Sequence, residues 1–441
     1  MTQAFLRIAK DKGALLVTAF FLLSLIALWR TSAAAVGPLV GHLIASYFLL
    51  WGLAALLLST PQHELRKRFL LLTVTLLFAL AVMEVPGALG IVDYRSVFST
   101  PSQYAWEEPG RVFDDELLWR AKPHYHKHVK YTRVNIGIAL CLQPGPVREF
   151  DLRYDQNGFR NEEDFVTADI AIIGDSYVEA PMMEHSLIMT SVLAQLQKKT
   201  VVNLGMSGYG PQQELIVLKR YVPRLRSKTV VWLYYGGNDL HNVREYEKNI
   251  HLFTRKDVLP SLWDRSFVRN VLSMSLRLLD GCTLRPDTVS RYGIVQGPDR
   301  KQWLRYFVGT NSDLVPLDLR ALESTRSIIK EAYHLSQEGG YHLVFAYAPD
   351  AFSVYNGLSN LIEVSDEVKR WKVSDLQDQL RAMVGEISPE IDYLDLTPDL
   401  KQAAEKGSRI FIEDDSHWTE EGHRVVAEAI HRLLSSHPPK D

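Results

Sequence analysis

The segment Ala168-Asp169-Ile170-Ala171-Ile172-Ile173-Gly174-Asp175-Ser176-Tyr177 constrains the fold more than any other part of this chain. A short apolar, β-branched run stopped by Gly-Asp reads as a strand with both faces covered. Strands of that kind belong to parallel sheets packed between helices. In an open α/β sheet, ligands meet the carboxyl ends of the strands. Ser176 falls at such an end and is a candidate nucleophile.

The rest of the second half follows the same rhythm. Thr200–Leu204, Lys228–Tyr235, Tyr341–Tyr347 and Ile391–Leu394 read as strands. Glu184–Lys198, Gln212–Tyr221, Leu317–Gln337, Val373–Gly385 and Thr419–Leu434 read as helices, with Pro223 ending the second and Gly339-Gly340 the third. The alternation predicts an α/β domain over residues 161–441, a three-layer α/β/α, flavodoxin-like parallel sheet. The rhythm breaks at about 241–316, an irregular stretch with Trp263, Trp303 and Tyr306 that reads as an insertion, either a cover over the site or a structural excursion. Residues 93–160 form a lead-in, with short strands expected at Lys127–Ile136 and Phe150–Tyr154.

Residues 1–92 are of another kind. Three apolar runs, at about 14–34, 36–59 and 69–92, predict three transmembrane helices. Arg7, Lys10 and Lys12 precede the first, and Arg66, Lys67 and Arg68 separate the second from the third. The positive-inside rule then puts the N-terminus in the cytoplasm and the large domain outside, in a periplasm or the extracellular space. Ser32-Ala33-Ala34-Ala35 could instead mark signal cleavage after the first run, which leaves the domain outside as well. Glu84 and Pro86 lie in the third run, where the carboxylate is either functional or close to the outer interface.

The only cysteines, Cys141 and Cys282, both fall in the external part, where pairing is open to them. They are too few for a zinc cluster. His124, His126 and His128 alternate, as on one face of a strand. They form either a metal site or, with Lys122, Lys127 and Lys130, a solvated basic edge. The second reading is preferred, so neither a metal nor another cofactor is expected. A formal net charge of −3 fits no nucleic-acid partner.

A serine nucleophile needs a base, a carboxylate to orient the base, and donors for an oxyanion. Four segments supply these in order: Gly174-Asp175-Ser176, Asn203-Leu204-Gly205-Met206-Ser207-Gly208, Gly236-Gly237-Asn238-Asp239 and Asp414-Asp415-Ser416-His417. Three follow apolar strands and the fourth precedes the last helix. Over residues 165–435 this arrangement resembles the SGNH hydrolase superfamily of GDSL esterases and lipases. The resemblance implies Ser176 as nucleophile and His417 as base. It also implies Asp414 as the orienting acid, through the family's Asp-x-x-His spacing that Asp415 does not satisfy. The oxyanion donors would be the N–H groups of Ser176 and Gly208, rather than Gly205, and the Asn238 side chain. The context Gly-Asp-Ser-Tyr-Val is not the Gly-x-Ser-x-Gly elbow of α/β-hydrolases.

What the resemblance implies is a membrane-anchored serine esterase, acting on O-acyl, chiefly O-acetyl, esters of cell-envelope or extracellular glycans. The lipid bilayer and an acylated glycan would be its partners. A polysaccharide O-acetyltransferase fed by a separate membrane acyl-donor protein is the alternative, and a non-catalytic glycan-binding or assembly factor a third.

Overall fold

A computed structural model describes residues 63–98, 110–131, 148–253, 262, 264–279, 290–307, 317–413 and 415–436. The apolar runs at 14–34 and 36–59, both cysteines and Asp414 lie outside these residues. The described chain begins with α1 (His63–Ala88) and α2 (Tyr94–Val97), followed by two antiparallel hairpins. These are β1 (Arg111–Asp114) with β2 (Leu118–Ala121), and β3 (His126–Tyr131) with β4 (Arg148–Arg153). Next come β5 (Ile170–Gly174), α3 (Ser176–Glu179), α4 (Met189–Gln197), β6 (Val201–Gly205), α5 (Pro211–Leu225) and β7 (Thr229–Tyr235). Then follow α6 (Asp239–Phe253), α7 (Phe267–Leu279), β8 (Tyr292–Gln296) and β9 (Gln302–Tyr306). The chain continues through α8 (Leu319–Gly339), β10 (His342–Ala348), α9 (Ala351–Tyr355), β11 (Leu361–Val364), α10 (Leu376–Ile387), β12 (Asp392–Asp395), α11 (Thr397–Glu405) and α12 (Glu420–Ser436).

The central sheet has the order β12-β10-β7-β5-β6, all parallel. Every residue of β5, β6 and β7 is buried, because helices cover both faces. Side chains alternate between two cores, as the two-residue period of a strand requires. Ala171, Ile173, Val230, Trp232, Leu343 and Phe345 meet α5, α8 and α10 on one face. Ile170, Ile172, Val231, Leu233, Val344 and Ala346 meet α4, α11 and α12 on the other. The order reverses at β5, which has β6 on one side and β7 on the other. The crevice above its carboxyl end is the topological switch point, and only Asp175 separates β5 from Ser176.

Some expectations need correction. α5 does not stop at Pro223 but runs on to Leu225. A proline forbids one hydrogen bond, and burial of Leu218, Tyr221, Val222 and Leu225 against the sheet holds the last turn. Glu184–Lys198 is not one helix: extended Ile188 (ψ 154) separates a single 3₁₀ turn from α4. The 241–316 stretch is more regular than it reads, supplying the end of α6, all of α7 and the β8–β9 hairpin. That hairpin joins β11 in a separate antiparallel sheet ordered β11-β8-β9.

The chain divides into two compact units, residues 1–100 with 260–281, and 101–259 with 282–441. In the first, α7 packs on α1. Glu84 accepts hydrogen bonds from the N–H groups of Phe267 and Val268 and from Ser266 Oγ, each at 2.9 Å, satisfying donors at the start of α7. Among the described residues no helix is long and apolar enough to cross a membrane. The part of α1 without a charged residue, from Phe69 to Met83, spans roughly 22 Å at about 1.5 Å per residue. A hydrocarbon core is about 30 Å thick. Glu84, which falls within the third expected crossing, works here as a helix cap.

Candidate active site

Each of the neighbouring strands β6, β5 and β7 delivers one block of the candidate site at its carboxyl end. Asp175 follows β5 and caps α3, its Oδ1 accepting the Tyr177 N–H at 2.8 Å. This turns the chain sharply and leaves Ser176 as the first residue of a four-residue helix. Asp175 is wholly buried, and burial pushes its carboxyl up to about 6 against the opposing pull of the Tyr177 N–H and the His417 charge.

His417 comes from the loop before α12. Its Nε2 lies 2.8 Å from Ser176 Oγ, and its Nδ1 lies 2.8 Å from Asp415 Oδ1. The carboxylate seen on the imidazole is thus Asp415, whereas Asp414, the residue that Asp-x-x-His spacing selects, lies outside the described residues. Asp415 Oδ1 also accepts the His417 backbone N–H at 3.2 Å. That local turn folds the carboxylate back onto a ring two residues ahead. Burial works against the charge of Asp415, but its bonds to His417 outweigh this and hold its pKa below the usual carboxylate range. Burial likewise works against an imidazolium at His417. The Asp415 hydrogen bond and charge, with Asp175 and Glu179, outweigh it and raise the His417 pKa. The ring lies beside Tyr177, 5.1 Å between centroids, and the Tyr177 hydroxyl donates to the Ser416 carbonyl.

The two glycines after β6 have different surroundings. Gly205 N–H donates to Asn203 Oδ1 at 2.9 Å, and a Cβ there would lie 2.5 Å from the Glu179 nitrogen. Gly205 is therefore a close-packing position beneath α3. Gly208 is exposed, with φ +83, a left-handed conformation that glycine adopts without strain. Trp119 of β2 lies beside it, 3.3 Å from where a Cβ would stand. Asn238 is partly exposed just before α6, its carbonyl accepting the Asn242 N–H at 2.8 Å. Asn242 Nδ2 in turn donates to the Tyr209 carbonyl at 3.1 Å, tying the start of α6 to the loop that carries Gly208.

Several supporting residues carried no signal in the sequence. Arg160, 1% exposed, donates to the carbonyls of Glu179, Ala180 and Met183. These bonds shape a small, largely apolar pocket in which Ala180, Pro181, Met182 and Met183 sit beside Ser176 and His417. The Glu179 side chain takes the Tyr154 hydroxyl and the Ser207 N–H, joining α3 to β4 and to the Gly208 loop. His423 also reaches the pocket, and burial pushes its pKa down to about 3, so it is neutral.

The histidine triplet divides. His126 and His128 share a face of β3 and meet Asp151, at 3.4 and 3.0 Å from its Oδ1, whereas His124 sits in a left-handed turn (φ 54) before the strand. Among the described residues no cluster of three or more His, Cys, Asp or Glu could hold a metal ion.

Residues 294–441 match a family model described as SGNH hydrolase-like domain, acetyltransferase AlgX. That stretch contains Asp415 and His417 but begins after Ser176. No curated protein matches the chain. Similar solved structures include a lipase/acylhydrolase from Enterococcus faecalis, 13% identical, covering 62% of this chain and 98% of its own, with a TM-score of 0.32. A GDSL-like lipase from Bacteroides thetaiotaomicron is 11% identical over 60% of this chain and 87% of its own, TM-score 0.31. A catalytic mutant of an acetylxylan esterase from Geobacillus stearothermophilus is 12% identical over 61% and 95%, TM-score 0.33. At these scores the likenesses carry no residue role to this chain. The chain has an α/β fold with a parallel central sheet, and its residues 294–441 are similar to an SGNH hydrolase-like domain.

Proposed function

We propose that the protein transfers small acyl groups through an acyl-serine intermediate, hydrolysing O-acetyl esters of cell-envelope or extracellular glycans. The observation that carries this reading is the unbroken chain from Ser176 Oγ through His417 to Asp415, 2.8 Å at each link. Ser176 Oγ bonds to the ester carbonyl carbon while His417 Nε2 takes its proton, and Asp415 holds the tautomer and supports the imidazolium. The oxyanion faces the N–H groups of Ser176 and Gly208 and the amide of Asn238, at the ends of three adjacent strands. Collapse breaks the ester C–O bond, and His417 returns the proton to the departing alcohol. Water then attacks the acyl-serine by the reverse steps, freeing the acid and Ser176. The small pocket bounded by Ala180 and Met183 fits an acetyl group better than a long chain.

The match to a model described as an acetyltransferase favours a second reading, in which a glycan hydroxyl replaces water as acceptor. Membrane attachment, with this domain outside, is part of the proposal. It rests on the apolar runs and flanking basic residues of 1–68, and on Leu71, Leu72, Phe78 and Val82, which α1 leaves exposed.

The test is p-nitrophenyl acetate turnover by the full chain in detergent, beside Ser176→Ala and His417→Ala. Turnover lost in both variants, with an acetylated Ser176 peptide trapped in the wild type, is the expected result. Equal rates in all three folded proteins would sink the reading. Adding a deacetylated oligosaccharide then separates the acceptors: acetylated product marks transfer, acetate alone marks hydrolysis.

A further inference from the structure

The loop from Phe411 to Trp418, which carries Asp415 and His417, has little secondary structure of its own beyond a single bridge between those end residues. Much of what holds it comes from β9. Arg305 is 1% exposed, and its guanidinium donates through Nη1 to the Ile412 carbonyl and through Nη2 to the Asp415 carbonyl, the latter at 2.8 Å. It lies over the Phe411 ring, 5.2 Å from the centroid. The next residue adds a backbone bond, Tyr306 N–H to the Glu413 carbonyl at 3.0 Å. A planar fork that bridges two carbonyls of one loop fixes its curvature in a way a flexible ammonium does not. The base of the fork is firm. β9 pairs along its length with β8, and Phe307 just beyond it packs edge-on against Phe352 and Tyr355.

We propose that Arg305 is a positioning residue for the acid–base pair: from the β8–β9 hairpin it sets the Phe411–Trp418 loop so that Asp415 and His417 stay in line with Ser176. It touches no reacting atom. This inference rests on the acyl-serine reading of the site. Its consequence is that a hairpin between β7 and β10, far from β5 in sequence, tunes the base. The groups that face His417 are Asp415 from its own loop, Asp175 and Glu179 from either end of α3, Tyr177 and, from α12, His423. Arg305 acts on it through Asp415.

Arg305→Met and Arg305→Lys in the full chain, in detergent, test the proposal by kcat, KM, the pH profile of kcat/KM, thermal melting and fluorophosphonate labelling of Ser176. Misplacing a reacting group by about 1 Å costs on the order of 10²-fold in rate. That loss is expected in kcat for Arg305→Met, with KM little changed and labelling slowed in parallel. Arg305→Lys should recover part of it. The acidic limb of the profile should move to lower pH in both, because a His417 that loses Asp415 loses what raises its pKa. A purely structural role would reduce the active fraction without moving the limb. If Arg305→Met fails to melt cooperatively, Arg305→Lys decides: a limb at the wild-type position overturns the proposal. Wild-type protein that neither turns over nor labels at Ser176 overturns the acyl-serine reading itself, whereas active wild type with indistinguishable Arg305 variants overturns only the role of Arg305.

Discussion

At the scale of the residue, the proposed chemistry turns on His417, whose two ring nitrogens each have one short partner. Replacing the carboxylate of such a triad by its amide leaves the shape but selects the wrong tautomer, at a cost of about 10⁴ in kcat. Asp415→Asn should show a loss of that order with p-nitrophenyl acetate, while Asp414→Asn stays near wild type. The reverse pattern would favour the Asp-x-x-His assignment. Because the bonds of Asp415 outweigh desolvation and raise the His417 pKa, the wild-type rate should climb only above the ordinary histidine value of about 6.5. Residual activity of Asp415→Asn should begin to climb at lower pH. The positions of Ser176, Gly208 and Asn238 after strands were legible because each follows an apolar run in short, recognisable surroundings; their roles belong to the proposal. The contact of Asp415 with His417 was not legible, since it depends on a local turn rather than on spacing. Arg160, Glu179 and Arg305 were out of reach for another reason: their partners are carbonyls and N–H groups that the fold, not the sequence, brings near.

Elements divide in the same way. β5, β7 and β10 announce themselves, because a strand covered on both faces must be apolar throughout and short. The stretch around α7 does not, since its partner α1 lies well over a hundred residues earlier and the two meet only in the folded chain. One carboxylate links them. Glu84 accepts two N–H groups at the start of α7 and the Ser266 hydroxyl, while Ser266 Oγ accepts the Arg269 N–H at 3.1 Å. Loss of a helix cap costs about 1 kcal/mol, within a range of roughly 0.5–2. Glu84→Ala should therefore speed hydrogen exchange at the amides of Phe267 and Val268 by about fivefold, with the amides of β5 and β7 unaffected. Unchanged exchange at Phe267 would mean that Glu84 contributes nothing to the order of α7. A chain cut at about residue 93 removes the cap and α1 together, which makes the full-length protein the right one for activity measurements.

The whole molecule carries an unusual electrostatic burden on the carboxyl side of its sheet. Asp175, Glu214 and Asp239 are each 0% exposed, and burial raises all three carboxyl pKa values, reinforced by the Asp175 charge at Glu214 and by both neighbours at Asp239, so that Glu214 and Asp239 stand well above the ordinary range. In the unfolded chain the same groups ionise near pH 4. Between that value and their folded pKa values the native state binds more protons than the unfolded one, so stability falls as pH rises. Asp415 acts oppositely, its lowered pKa giving stability that is lost toward acid. The raised pKa of His417 adds to the fall on the alkaline side. A single substitution isolates one contribution, because everything else cancels in the comparison. In Glu214→Gln the side-chain oxygen can still accept the Trp232 Nε1–H, a 2.7 Å bond in the native protein, while the ionisable proton is gone. The drop in melting temperature from pH 5 to pH 8 should be shallower in this variant than in the wild type, with the variant the more stable of the two at pH 8. Parallel curves over that range would show that Glu214 is already ionised in the folded protein, and that its buried surroundings tolerate the charge.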